Sequence, residues 1–154
     1  MEPLSGVASG MAVVSLSLQL IQSVSTTHAF FRTVKGAPTE LIRLIESLER
    51  LRALLQDVYQ VMELQSSRSG HNIPMPSMTI HNSLKSCEQH IQSLQGIVQK
   101  YENAQVQEKS NSRRLRSSIK FVFKKGDIMA FEAHIQQDMA NLTTALMLNS
   151  TSIQ

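Results

Sequence analysis

The side chains that most often perform chemistry in proteins are few and scattered in this sequence. There is one cysteine, Cys87, which falls on the apolar side of a predicted helix. The histidines stand singly along the chain, at positions 28, 71, 81, 90 and 134. Zinc sites and activated nucleophiles need such groups in defined pairs, and Gly-rich phosphate loops are also lacking. We therefore expect no metal, no cofactor and no small-molecule substrate, and we predict that the chain is not an enzyme.

The distribution of charge is the main functional signal. The net charge of +3 is too small by itself to predict nucleic-acid binding. No Lys, Arg, Asp or Glu occurs at residues 3–31. A later segment carries positive charges with no acidic residue among them: Lys109, Arg113, Arg114, Arg116, Lys120, Lys124 and Lys125. The chain thus has one uncharged segment and one basic segment, and each indicates a kind of contact.

The uncharged segment has two interpretations. A helix over residues 3–31 would be about 43 Å long, more than the roughly 30 Å of bilayer hydrocarbon. In one interpretation this helix is the buried centre of a bundle, where neighbours on all sides exclude charge. In the other it enters a membrane or assembles with copies of itself, and the GxxxG pattern from Gly6 to Gly10 favours close helix contact. The residues assigned to membrane insertion or self-assembly are Leu4, Gly6, Val7, Gly10, Met11, Val14, Leu18 and Ile21.

The basic segment interleaves its charges with apolar residues such as Leu115, Ile119 and Phe121. This composition is typical of a helix that lies on anionic lipid, where each charge contributes about 1 kcal/mol. A solvated helix face has the same composition, so both interpretations stay open. Nucleic acid is the least favoured partner, because no stacking platform and no nucleic-acid motif accompanies the charges.

Apolar periodicity predicts the helices that carry these segments. Steps of three and four residues, the spacing of one buried helix face, recur along most of the chain. They mark three seams: Leu41, Leu44, Leu48, Leu51, Leu55, Val58 and Met62; Leu84, Cys87, Ile91, Leu94, Val98 and Tyr101; and Ile128, Phe131, Ile135, Met139, Leu142 and Leu146. A weaker period at the start joins Leu4, Val7, Ala8, Met11, Val14, Leu18 and Ile21.

We predict an all-α fold, an antiparallel bundle of four to five helices that forms one domain over residues 1–148. The helices are expected at about 4–34, 39–64, 77–107, 113–125 and 127–148, with a frayed end or linker at 149–154. The polar stretch 65–76 reads as a surface loop, and Gly126 is expected to end or kink the short basic helix.

The sequence resembles the fungal HeLo-like N-terminal domains at both of its unusual segments. The first ten residues, MEPLSGVASG, are similar to the leader of that family, although Glu2 stands where Asp is usual. Residues 117–125, SSIKFVFKK, together with the helix that follows, resemble the family's later basic segment and final helix. The resemblance covers nearly the whole chain.

This resemblance implies a helical bundle in front of a nucleotide-binding oligomerisation module, in fungal immune receptors of the NLR or STAND type. Related HeLo domains, and the similar four-helix bundle of the mixed-lineage kinase-like pseudokinase, are associated with membrane permeabilisation and programmed cell death, and hence with innate immunity and heterokaryon incompatibility. The expected partners are further copies of the chain, anionic membrane lipid, and a receptor domain or protein before or after the bundle. The expected place is the cytoplasm, with recruitment to the plasma membrane. The alternative function is a protein–protein interaction module without membrane activity.

Overall fold

Four long helices make up the fold. The computed structural model describes the backbone of residues 3–68, 76–107 and 124–153, and the side chains of residues 11–65, 78–103 and 124–149. The helices are α1 (Pro3–Arg32), α2 (Thr39–Arg68), α3 (Pro76–Gln107) and α4 (Lys125–Ile153). These backbone ranges contain no strand, and the predicted all-α bundle is confirmed.

The helices that follow one another in pairs run antiparallel. α1 turns back into α2 within a few residues, which brings His28 of α1 to 3.6 Å from Glu49 of α2. α3 and α4 also run in opposite directions, because His90 stacks on His134 while the earlier Ser86 contacts the later Asp138. The bundle therefore consists of two antiparallel hairpins, α1–α2 and α3–α4.

The two hairpins pack so that each helix contacts the helix of the other hairpin that runs in the same direction. The rings of Phe30 and Tyr101, both close to the end of their helix, lie 5.4 Å apart, so α1 runs parallel to α3. Lys125 and Glu40, both at the start of a helix, form an ion pair of 3.2 Å, so α2 runs parallel to α4. Each of α1 and α4 packs against both α2 and α3, which leaves α1 and α4 on one diagonal and α2 and α3 on the other.

The turn between α1 and α2 is closed by the backbone. The amides of Thr33 and Val34 donate to the carbonyls of Phe30 and Phe31, at 3.0 and 3.1 Å, which satisfies the last turn of α1. Gly36 then adopts a left-handed conformation, with φ of 68°, that a residue with a Cβ enters at a cost. This turn fixes the short antiparallel hairpin.

The core follows the predicted seams of α2 and α3. Every residue of these two seams is buried, and the α4 stripe contributes Ile128, Ile135 and Leu142 as buried residues. Its other members, Phe131, Met139 and Leu146, are half-buried and pack against the core. Each seam is flanked by polar residues, so burial of the apolar face fixes how the helix is turned.

The buried face of α1 differs from the periodic face identified in the sequence. The core residues of α1 are Val13, Leu16, Leu20, Val24 and Phe31, whereas Met11 and Leu18 of the predicted set are exposed. The interpretation of α1 as a central helix with neighbours on all sides is therefore wrong, since α1 packs on α2 and α3 and keeps an outer face.

Hydroxyl groups explain how α1 buries its other face. Ser17 and Thr27 are buried among the core residues, and each donates to the carbonyl four residues earlier, Val13 and Ser23, at 2.8 Å. A hydroxyl that is satisfied within its own helix can be buried at little cost. Both faces of α1 therefore carry polar as well as apolar residues, so the apolar periodicity of α1 does not show which face is buried.

Two helices continue beyond their predicted ends. α2 continues to Arg68, into the predicted loop 65–76, and α4 continues to Ile153 through the predicted frayed end or linker. Asn149 is buried, because Leu142, Ala145 and Leu146 carry the stripe of α4 toward its end. The predicted short helix 113–125 lies almost wholly outside the described ranges, and Gly126 falls in the first turn of α4.

Candidate contact surfaces

The outer face of α1 is an exposed helix surface without charge. We define it by the exposed residues Met11, Ala12, Ser15, Leu18, Gln19, Gln22, Thr26 and Ala29. The equivalent outward positions of α2 include Glu46 and Arg50, so absence of charge is not a general feature of this bundle. A surface helix normally places charged residues outward. The outer face of α1 is thus unusual for a helix in contact only with water.

The structure distributes the residues assigned to membrane insertion or self-assembly over two environments. Met11 and Leu18 are 70% and 43% exposed and belong to the outer face. Val14 and Ile21 are half-buried against the core. The remaining four, Leu4, Gly6, Val7 and Gly10, lie in the helical backbone of α1, with side chains outside the described range.

Exposed apolar residues gather at one end of the bundle. Because of the helix directions, the starts of α1 and α3 meet the ends of α2 and α4 there. Five of the eight large hydrophobic residues found exposed in the described part of the chain lie toward this end: Met11, Leu64, Met78, Met147 and Leu148. Ile42 and Met129 lie toward the opposite end, and Leu18 lies at the middle of α1.

Charged residues are few at the end where the exposed apolar residues gather. α3 has no charged residue before Lys85, and α4 has none after Asp138. α1 has none before Arg32, whereas α2 carries Glu63 and Arg68 near its end. Since α3 packs against both α1 and α4, these three helices form one side of the bundle that is free of charge at this end. We call it the uncharged end surface, and its large apolar residues are Met11, Met78, Met147 and Leu148.

Only the last two residues of the predicted anionic-lipid site fall in the described ranges. Lys124 precedes α4 and is exposed, and Lys125 begins α4. The Lys125 ammonium lies 3.2 Å from the Glu40 carboxylate, and a backbone hydrogen bond together with Lys125 lowers the pKa of Glu40. The other five residues, Lys109, Arg113, Arg114, Arg116 and Lys120, lie outside the described ranges. The site is therefore still a prediction.

A buried polar cluster between α3 and α4 was missed in the sequence. Asp138 is 1% exposed, and its carboxylate accepts a hydrogen bond from Ser86 Oγ at 3.3 Å and lies 2.6 Å from His90 Nδ1. The ring of His134 stacks on that of His90 at 4.5 Å between centroids. The overlooked signal was the helical spacing of four residues from His134 to Asp138. Ser86 contacts the carboxylate and not the imidazole, so the cluster lacks the order of a Ser–His–Asp triad.

Cys87 adjoins this cluster and is buried, in agreement with its place on the predicted seam. Burial raises the pKa of the thiol strongly, and the negative charge of Asp138 raises it further. Thiolates, not thiols, act as nucleophiles and metal ligands. Within the described part of the chain, no group of three or more His, Cys, Asp or Glu side chains is placed to hold a metal ion.

A shallow groove separates α1 from α2 near the other end of the bundle. It has a volume of about 420 Å³, and its lining includes His28, Arg32, Glu49 and Arg52. Arg52 hydrogen-bonds Glu49, and this bond lowers the pKa of the Glu49 carboxyl. The acid at the centre of the groove is thus an ion-pair partner held in its charged form, and Ser25 and Ile45 complete the lining.

No helix in the described ranges combines the length and the mean hydropathy needed to cross a bilayer. α1 has the length, but its serine, threonine and glutamine residues lower its mean hydropathy.

Comparison with known proteins identifies the family. A model of the SesA family, the N-terminal domain on NACHT NTPases and P-loop NTPases, matches residues 14–142. The match reaches from the first half of α1 into the second half of α4, and it agrees with the resemblance to HeLo-like N-terminal modules. No curated protein and no solved structure matches the chain. With four packed helices and a family match over most of its length, the chain belongs to the SesA family of N-terminal domains.

Proposed function

We propose that this chain is a signalling effector bundle that acts by contact. NTPase domains of the kind that SesA domains accompany bring copies together, and the clustered bundles then bind their target through the outer face of α1. The observation that carries the proposal is the uncharged outer face itself, which runs from Met11 to Ala29 over about 27 Å of helix.

The composition of this face suits contact with a protein. Charged groups are depleted at the centre of interfaces because removing them from water is costly. Ala12, Ser15 and Ala29 are small enough to let another helix approach, while Gln19 and Gln22 can form hydrogen bonds across a contact. The face is too polar for hydrocarbon and too poor in charge for plain solvation, which favours a partner surface of mixed character.

Membrane permeabilisation and cell death are the second candidate function. The basic segment and the resemblance to HeLo domains favour it, with insertion through α1 and lipid binding through Lys124, Lys125 and the basic residues before them. Release of α1 would expose Val13, Leu16, Leu20, Val24 and Phe31. At about 1.5–3 kcal/mol for each side chain this costs about 8–15 kcal/mol, as much as the stability of a whole domain. Insertion therefore needs lipid or assembly to supply that energy.

The first test is forced clustering of the chain in cells. The chain is fused to a domain that oligomerises when a small molecule is added, and loss of cell viability is measured. We expect clustering of the wild-type chain to reduce viability, and the pair Gln19→Lys and Gln22→Lys on α1 to weaken this response about tenfold. The matched control is Gln56→Lys with Gln60→Lys, which places the same charges on exposed positions of α2.

The outcomes separate the two parts of the proposal. A wild-type chain that has no effect when clustered contradicts the effector function. If the α1 pair and the α2 pair behave alike, the outer face of α1 is not the contact. Circular dichroism and thermal unfolding of all variants show whether the fold is retained.

A vesicle experiment decides between protein and membrane as the target. Clustered chain is added to dye-loaded vesicles that contain phosphatidylserine, and to vesicles of phosphatidylcholine alone. Leakage from the anionic vesicles that the pair Met11→Glu and Leu18→Glu abolishes supports membrane permeabilisation. A cellular response without leakage supports the interaction module.

A further inference from the structure

We propose that two copies of this chain bind each other through the uncharged end surface, so that their charged ends point away from each other. The inference rests on the proposed function, which requires copies to associate, and it assigns a place to that association. It concerns α3 and α4 at least as much as α1, and the sequence patterns did not suggest it.

The apolar residues of this surface lie near the same level along the bundle. The contacts of His90 with His134 and of Ser86 with Asp138 set the register of α3 against the antiparallel α4. Met78, about two turns before Ser86, therefore lies beside the part of α4 about two turns after Asp138, which contains Met147. The contact of Phe30 with Tyr101 sets the register of the parallel helices α1 and α3. Along the bundle axis, this register places Met11 within about one helical turn of Met78. α3 lies between α1 and α4, which makes the surface continuous around the start of α3.

Absence of charge makes this surface compatible with itself. In a twofold contact the same patch occurs on both copies, so it must be self-complementary. The opposite end carries charges of both signs, such as Lys125, Glu40 and the exposed Asp127, and covering them with a second copy would remove charged groups from water at a cost. The parts of α1, α3 and α4 in the uncharged end surface carry no such cost, and their large apolar side chains can be covered by their counterparts.

The polar residues of the surface favour a second copy over lipid. Thr79, Asn82, Asn141 and Thr144 are exposed near Met78 and Met147. Amide groups need hydrogen-bond partners, which a protein surface and trapped water provide but lipid hydrocarbon does not. A wet contact between two proteins accommodates both the amides and the methionines.

The experiment is sedimentation of the 154-residue chain over a range of concentrations. The test variant combines Met78→Glu with Leu148→Glu, and the control combines Met129→Glu with Ile42→Glu at the other end. The exposures match, at 43% and 52% for the test residues and 49% and 46% for the controls. We expect the wild-type chain to dimerise, the test variant to lower the association constant about tenfold or more, and the control to leave it unchanged.

A second measurement fixes the orientation and does not depend on variants that disturb the surface. Cys87 is replaced by alanine, and a single cysteine is placed at Met147 or at Met129. A short bifunctional maleimide should link two copies through position 147 and not through position 129. Preferential linkage through position 129 overturns the proposal, as does a wild-type chain that stays monomeric, or a control pair as damaging as the test pair.

Failure of this inference is distinguishable from failure of the proposed function. The test residues lie on α3 and α4 and leave the outer face of α1 intact. Dimers that form through another surface, with a normal response to forced clustering, contradict only this inference. Dimers that form as proposed but produce no response when clustered contradict only the effector function.

Discussion

Asp138 is the residue whose environment constrains this fold most tightly. Its carboxylate is enclosed between α3 and α4, yet it retains partners in Ser86 and His90. A buried carboxylate is stable only when its acceptor positions are used, so α3 must place these donors at the right height. The cluster thereby fixes the register of one helix against the other, which apolar contacts alone specify less strictly.

Replacement of Asp138 tests this role. Asp138→Ala leaves the hydroxyl of Ser86 and the ring nitrogen of His90 without their acceptor, and we expect the free energy of unfolding to fall by about 1–3 kcal/mol. Urea denaturation followed by circular dichroism measures the change. The exposed Asp57 of α2 provides the control, since Asp57→Ala should change stability by about 0.5 kcal/mol at most. Equal effects of the two substitutions would contradict a structural role for the cluster.

The partners of Asp138 could not be predicted from its neighbours in sequence. Its partners stand 52 and 48 residues earlier in the chain, and their approach depends on how α3 and α4 are turned. Ile135 and Leu142 of the predicted stripe stand three residues before and four after Asp138, so the periodicity of α4 already places Asp138 on the buried face. It does not show that Ser86 and His90 of α3 meet it there.

At the scale of the helices, the buried face could be predicted where the two faces of a helix differ clearly in polarity. α2 alternates its leucine seam with Glu46, Glu49 and Arg50, so the buried face is evident from the sequence, and the seam of α3 is similarly flanked by polar residues. α1 has no such contrast, because serine and threonine occur on both faces and no charge marks the outside. The sequence predicted that α1 is a helix, but the periodic face it marked is not the buried one.

Two leucines of α1 test the corrected assignment. Leu20 is buried in the core, and Leu18 two residues earlier is exposed on the outer face. We expect Leu20→Ala to reduce the free energy of unfolding by about 2–5 kcal/mol, because it leaves a cavity. Leu18→Ala should change it by about 0.5 kcal/mol or less. Thermal or urea unfolding distinguishes the two, and the reverse order would restore the sequence-based assignment of the faces.

At the scale of the whole molecule, the helix directions produce a bundle whose two ends differ in charge and in exposed apolar residues. Five of the eight large hydrophobic residues found exposed in the described part of the chain lie toward one end, where α1, α3 and α4 carry no charge. α3 and α4 each carry their charges away from this end, and the antiparallel pairing brings their uncharged parts together. The difference between the two ends depends on the up-down order of the four helices, and it could not be predicted without knowing which ends meet.

The buried thiol of Cys87 can report whether the helical bundle opens. The chain has no other thiol, and this one lies in the core beside Asp138 with a raised pKa, so a water-soluble maleimide can reach it only when the bundle opens. We expect slow labelling of the free chain, and equally slow labelling if clustered bundles bind their target while closed. If α1 leaves the bundle to enter a membrane, labelling should accelerate upon addition of vesicles. The rate of one covalent reaction thus distinguishes a bundle that docks intact from one that unpacks to act.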